Sequence, residues 1–170
     1  MQNMRAGVVP QMHLTNRRIC SSLLLQQLIY YNTYYSLAWF LTKSILICSR
    51  YIYGLNVNDP DKVRTVMMAF FIPAEPIRLL CGFAGNLQEN VPLVAFFLVL
   101  TIFPSSPICL YLLFGQKWKT PIDTAIQIVM TVFLFSEMIV GVSAIGRMVG
   151  AQKKQFYLHD FVIKREGHDS

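Results

Sequence analysis

The sequence predicts an all-α membrane protein: four transmembrane helices, short loops, and both termini on the same, cytoplasmic side. Three observations carry this. Apolar residues make up 54% of the 170 and charged residues only 14%, against about 25% charged in an average soluble domain. A soluble fold of this size needs a polar coat that so few charges do not supply. Second, four stretches reach the roughly 20 residues that a helix needs to cross a hydrocarbon core about 30 Å thick. They are Leu28–Ile52, Val63–Phe83, Val91–Phe114 and Ile122–Met148. Third, the basic residues are uneven. Eight lie on the side of the termini (Arg5, Arg17, Arg18, Arg147, Lys153, Lys154, Lys164 and Arg165), against five on the other (Arg50, Lys62, Arg64, Lys117 and Lys119). The positive-inside rule then makes the terminal side cytoplasmic.

The first span begins among Tyr30, Tyr31, Tyr34 and Tyr35 and closes on Tyr51 and Tyr53, rings suited to the two membrane interfaces. The second contains Pro73 and Pro76, which membrane helices tolerate as kinks. The third has no charge, and its small polar residues are Thr101, Ser105 and Ser106. It is apolar on every face, where a surface helix of a soluble bundle would show a polar stripe. Pro104 and Pro107 interrupt it as Pro73 and Pro76 interrupt the second. The fourth closes on Gly146–Gly150, whose small-xxx-small spacing reads as helix-end flexibility or as close helix approach. The connections Tyr53–Lys62, Ala84–Asn90 and Gly115–Pro121 are too short to hold a domain.

Residues 1–27 form an N-terminal arm and 149–170 a C-terminal tail. The arm lacks the apolar run of a cleaved signal, and neither end carries a myristoylation or prenylation pattern. Cys20 is a candidate for palmitoylation or a spectator thiol. In the tail, Lys153 and Lys154 suit anionic headgroups. Phe156, Tyr157, Leu158, Phe161 and Val162 suit an interfacial helix or a cytosolic partner.

Several functions are excluded at this stage. The apolar content argues against disorder. Cysteines scattered at 20, 48, 81 and 109 do not form a disulfide framework. The net charge of +6 is spread between apolar blocks rather than gathered for nucleic acid. His13, His159 and His168 have no ligand spacing with Cys or carboxylates, and no nucleophile or phosphate-loop motif occurs. No enzyme, metal site, cofactor or small-molecule substrate is expected.

The residues that call for explanation are Lys43, Glu75, Arg78 and Glu137, two cations and two anions inside the spans. Helix rise places Lys43 about 4 Å to the outer side of the midplane, Glu75 near it, and Glu137 about 4 Å to the cytoplasmic side. Arg78 follows Glu75 by one turn, as an i,i+3 neighbour. Glu75 or Glu137 is the expected partner of Lys43. An unpaired charge at mid-bilayer costs at least about 2.5–3.5 kcal/mol. Three readings follow: a structural lock, contact with another protein's membrane helix, or an ion or proton path. The paired proline interruptions, like those of transporter repeats, keep the last one open.

The end of the second span reads Glu75-Pro-Ile-Arg78-Leu-Leu-Cys-Gly82-Phe-Ala-Gly85-Asn86-Leu87-Gln-Glu89-Asn-Val-Pro92. This resembles the E-x-I-R-L-x-x-G-x-x-G-N-L-x-E segment of the transmembrane protein 17 family. Asn32-Thr33-Tyr34-Tyr35, after Tyr31, resembles that family's F-N-T-Y-Y stretch. Phe156–Phe161 resembles its F-x-L-x-D-F close. In the turn, Gly82 and Gly85 are expected to permit a tight helix exit, Gly85 with positive φ. Asn86 is expected to cap local backbone, and Glu89 to open the third helix at its positive end with Pro92 in its first turn. Pro76 is expected to bend the second helix. The resemblance implies a non-enzymatic membrane component of the ciliary transition zone. Its implied partners are the lipid bilayer and the membrane and adaptor proteins of the tectonic-like complex, which form a diffusion barrier and support cilium assembly.

Overall fold

The computed structural model describes residues 21–53, 59–115 and 120–166, apart from the side chains of 59–61 and 158–166. Five helices follow one another: α1 (Leu23–Ile52), α2 (Asp59–Leu87), α3 (Val91–Leu100), α4 (Ser106–Phe114) and α5 (Pro121–Glu166). There is no strand among the described residues. α3 and α4 are two halves of one span, so the bundle has four. Three of these, Lys62–Leu87, Val91–Phe114 and Pro121–Tyr157, are long and apolar enough to cross a membrane. The fourth, α1, has 30 residues and is diluted by Gln26, Gln27, Asn32, Lys43 and Arg50.

Local chemistry explains the helix ends. Ser22 caps α1, its Oγ accepting from Leu25 N at 3.4 Å. Thr120 does the same for α5, its Oγ1 accepting from Asp123 N at 3.2 Å. α2 ends in a Schellman turn: Asn90 N donates to Gly85 O at 2.8 Å and Glu89 N to Asn86 O at 3.4 Å. Glu89, not a glycine, takes the left-handed position, with φ 54°.

The burial pattern is inverted relative to a soluble protein. Lys43, Arg64, Glu75, Arg78, Asp123 and Glu137 are all buried, while Leu41 is 61% and Ile139 66% exposed. Charges inside and aliphatic residues outside suit hydrocarbon as the solvent. Within the bundle the layers alternate. Leu25, Ile29, Leu79, Val94, Phe97 and Met148 form one apolar layer. Trp39, Met68, Phe71, Leu112, Met130 and Leu134 form another. Polar groups lie between them and at both ends.

The proline pairs behave differently. α2 runs unbroken through Pro73 and Pro76, so the expected bend at Pro76 does not end the helix. The third span is broken: Phe103 is extended (φ −145°, ψ 117°) within Thr101–Ser105, and the Phe103–Pro104 peptide is cis. Local groups absorb freed backbone there. Ser106 N donates to Thr101 O, Ser106 Oγ donates to the same oxygen at 2.6 Å, and Thr101 Oγ1 donates to Phe97 O at 2.7 Å. The apparent symmetry of the two interruptions therefore does not exist in the fold.

α5 is 46 residues long, roughly 69 Å at 1.5 Å per residue, about twice the hydrocarbon thickness. The helix continues through Gly146 and Gly150 rather than fraying there. Met148 is its last buried residue among the described side chains, and from Gln152 to Tyr157 the helix is exposed as it leaves the bundle.

Candidate functional site: charges paired inside the bundle

The four charges singled out in the sequence divide into two clusters. In the first, Arg78 is the hub. Its Nε donates to Glu75 Oε2 at 2.9 Å and its Nη2 to Glu75 Oε1 at 2.6 Å. Its Nη1 donates to Glu137 Oε2 at 2.5 Å and to Thr101 Oγ1 at 3.2 Å. Asn32 Nδ2 donates to Glu137 Oε1 at 2.9 Å. Ser36 Oγ lies 3.1 Å from Glu75 Oε1 and 3.3 Å from Asn32 Oδ1. The guanidinium sits 5.3 Å from the centre of the Phe97 ring. Asn32 and Ser36 come from α1, Glu75 and Arg78 from α2, Thr101 from the break, and Glu137 from α5, so the network centred on Arg78 ties all four spans, α1 joining through the two carboxylates. Arg fits because its planar donors meet two carboxylates at once.

Lys43 does not join this cluster, and the expected pairing with Glu75 or Glu137 is replaced by another. Its Nζ donates to Asp123 Oδ1 at 2.5 Å, and Arg64 Nη2 lies 3.2 Å from Asp123 Oδ2. Asp123 occupies the first turn of α5, so Lys43 reaches the N-terminal end of that helix rather than its middle. Arg64, which the sequence counts among the basic residues at the helix ends opposite the termini, is buried beside Asp123. Between the clusters, Trp39 Nε1 donates to Gln127 Oε1 at 3.2 Å, and Gln127 Nε2 donates to Cys109 O at 3.2 Å.

At the opposite end, the α2–α3 turn locks the start of α1. Asn86 Oδ1 accepts from Ser22 N at 2.8 Å, and Asn86 Nδ2 donates to Ser22 O at 2.9 Å and to Gln26 Oε1 at 2.8 Å. Glu89 Oε1 accepts from Ser21 N at 3.3 Å. Asn86 thus serves a distant segment rather than its own turn. Gly82 and Gly85 lie inside α2, and the expected positive φ at Gly85 falls on Glu89 instead. The glycines are there for close approach. A Cβ on Gly82 would sit 2.6 Å from Phe97 Cδ2, and one on Gly85 2.8 Å from Val94 N. Leu87 points outward and is exposed.

Asn86 is a sequence candidate whose role changes, from capping its own turn to holding the start of α1. Asn32, Arg64, Asp123 and Gln127 are not among the sequence's site residues; their signal is polar residues within or at the ends of apolar runs, which a search for charges at mid-span passes over. Cys20, Trp118 and the side chains of His159 and Phe161 lie outside the described residues.

Helices with lipid-compatible faces and an ionic interior define a multi-pass, all-α membrane protein. Comparison with known proteins narrows this. The family model Transmemb_17, described as a predicted membrane protein, matches residues 27–134. The chain is 33% identical to transmembrane protein 17 of Homo sapiens over 142 residues, covering 83% of this chain and 71% of that one. It is 31% identical to the Bos taurus protein over 150 residues (86% and 73%). It is 30% identical to transmembrane protein 17B of Danio rerio over 147 residues (86% and 76%). No solved structure matches. The chain belongs to the transmembrane protein 17 family.

Proposed function

We propose that this chain is a non-enzymatic structural subunit of the ciliary transition zone. In this reading it assembles with the membrane and adaptor proteins of the tectonic-like complex and contributes to the barrier that controls ciliary membrane composition. Family membership supports the assignment. The observation that carries the structural part is that Glu75, Arg78 and Glu137 bond one another across the bundle. Such charges act as struts and hold the lipid-facing surfaces in a set arrangement for lateral neighbours. A path for ions using Lys43, Glu75 and Glu137 together gains no support, because Lys43 is engaged by Asp123 and the Trp39–Gln127 pair stands between the clusters. The end that carries the α2–α3 corner and the projecting part of α5 faces the cytoplasm on this reading. Lys153 and Lys154 then lie near the headgroups, with exposed Phe156 and Tyr157 available to adaptors.

The test is localisation of a tagged copy in ciliated cells against basal-body and axoneme markers. A ring or paired spots just distal to the basal body is the expected result. Uniform plasma-membrane or endomembrane signal in cells with intact cilia would refute the assignment.

A further inference from the structure

A groove of about 660 Å³ runs between α1 and α2 on the outside of the bundle. That volume lies within the range of about 300–1,000 Å³ typical of small-molecule sites. Along α1 it extends from Tyr30 to Phe40 and along α2 from Phe83 back to Phe71, some 15–18 Å by helix rise. It therefore occupies one leaflet of a core about 30 Å thick, on the side of the α2–α3 turn. Trp39 and Phe71, with ring centres 5.0 Å apart, line its inner end. At its mouth the phenols of Tyr30 and Tyr34 meet at 3.3 Å. Their side chains lean toward the start of α1 and so toward the membrane surface.

We propose that this groove binds a sterol. Charge selects against the other lipids. No Lys or Arg is among the groove's described lining residues, and Glu75, at its deep end, is already neutralised by Arg78, so a phosphate headgroup or a fatty-acid carboxylate at the mouth would find no cation there. A single neutral hydroxyl matches the phenol pair, which both donates and accepts. Rigidity selects as well. Six of the fourteen lining residues are aromatic, and a fused-ring body loses little conformational freedom when held against such walls, whereas an acyl chain loses a rotor at each carbon. Proline contributes here: Pro76 lines the groove and adds a flat, donor-free surface to its wall.

The test uses the full chain reconstituted in phosphatidylcholine vesicles with a photoreactive cholesterol probe, mapping labelled peptides by mass spectrometry. Labelling is expected within 30–40 and 71–83, with unlabelled cholesterol competing. Leu80→Trp fills the groove from an exposed position (68%) and is expected to reduce labelling about tenfold. Ile139→Trp on the lipid face of α5 is expected to leave it unchanged. Should Leu80→Trp fail to fold, the surface pair Tyr30→Phe and Tyr34→Phe serves instead. It is expected to reduce labelling about fivefold, the ratio for one hydrogen bond of about 1 kcal/mol, and to erase the preference for cholesterol over its 3-keto analogue. Label spread evenly over all lipid-facing helices, or unmoved by these variants, overturns the proposal. Equal competition by phospholipid or fatty acid overturns it in favour of an acyl-chain groove. A partner's helix crosslinked in the groove in cells, in place of sterol, overturns it as well.

Discussion

Arg78 on α2 and Glu137 on α5 stand 59 residues apart in the chain and meet at 2.5 Å with both side chains 0% exposed. Glu75 shares the same guanidinium. A pair of this kind is costly to break on one side, because the remaining charge has no water to turn to. Arg78→Ala and Glu137→Ala are each expected to lower stability by about 3–5 kcal/mol. Replacing Arg78, Glu75 and Glu137 together with Met, Gln and Leu is expected to cost less than the sum of the single changes. Thermal unfolding in nanodiscs measures both. Single alanine variants with unchanged melting and unchanged cellular localisation would refute the strut.

Asp123 holds two cations. Asp123→Asn leaves Lys43 and Arg64 without their shared carboxylate, and an expected loss of several kcal/mol follows from desolvated charge. Adding Lys43→Met to this variant is expected to recover part of the loss, since the buried ammonium that has lost this carboxylate is then gone. A double-mutant cycle on melting temperature decides it; strict additivity would mean that Lys43 and Asp123 do not interact.

The α2–α3 contact depends on absent side chains. Gly85→Ala drives a Cβ to 2.8 Å from the Val94 backbone nitrogen, whereas Gly146→Ala meets nothing within 4 Å. The first is expected to destabilise by about 1–3 kcal/mol. The second is expected to be neutral or to stabilise by up to about 1 kcal/mol through helix propensity. Similar melting temperatures for the two variants would contradict close packing at Gly85.

Asn86 fastens the beginning of α1 by three hydrogen bonds. Asn86→Ala is expected to cost about 1–3 kcal/mol by stranding the buried Ser22 N–H; Ser22 O keeps its bond from Gln26 N. Amide exchange should quicken first in residues 22–27 and only weakly in the middle of α1. Uniform change along the helix would argue against a local fastening.

The spans were legible because hydropathy is a local property: a stretch such as Val91–Leu100 is apolar whichever way it faces. Burial of Glu75, Arg78 and Glu137 was legible for the same reason, since a charge within such a stretch has to be satisfied internally. Their grouping was readable only for Glu75 and Arg78, which share one helical turn. The partner of Lys43 lies 80 residues away, and its choice depends on how far α1 slides past α5. Asp123 lies in the first turn of α5, where an acid needs no explanation beyond the helix dipole, and Asn86 reads as a turn residue; each acquires its role from a helix that local pattern does not place.

Composition and hydropathy thus determined the all-α membrane class, the four spans and the need to pair buried charge, since each follows from how single segments partition between water and lipid. Tertiary structure alone decided which charges meet, that the second proline pair and not the first opens its helix, and that Gly82 and Gly85 serve packing rather than turning. The physical reason is one of range. Partition energies belong to a residue and its sequence neighbours, whereas an ion pair, a helix crossing and a kink are set by the relative registry of helices brought together from distant parts of the chain.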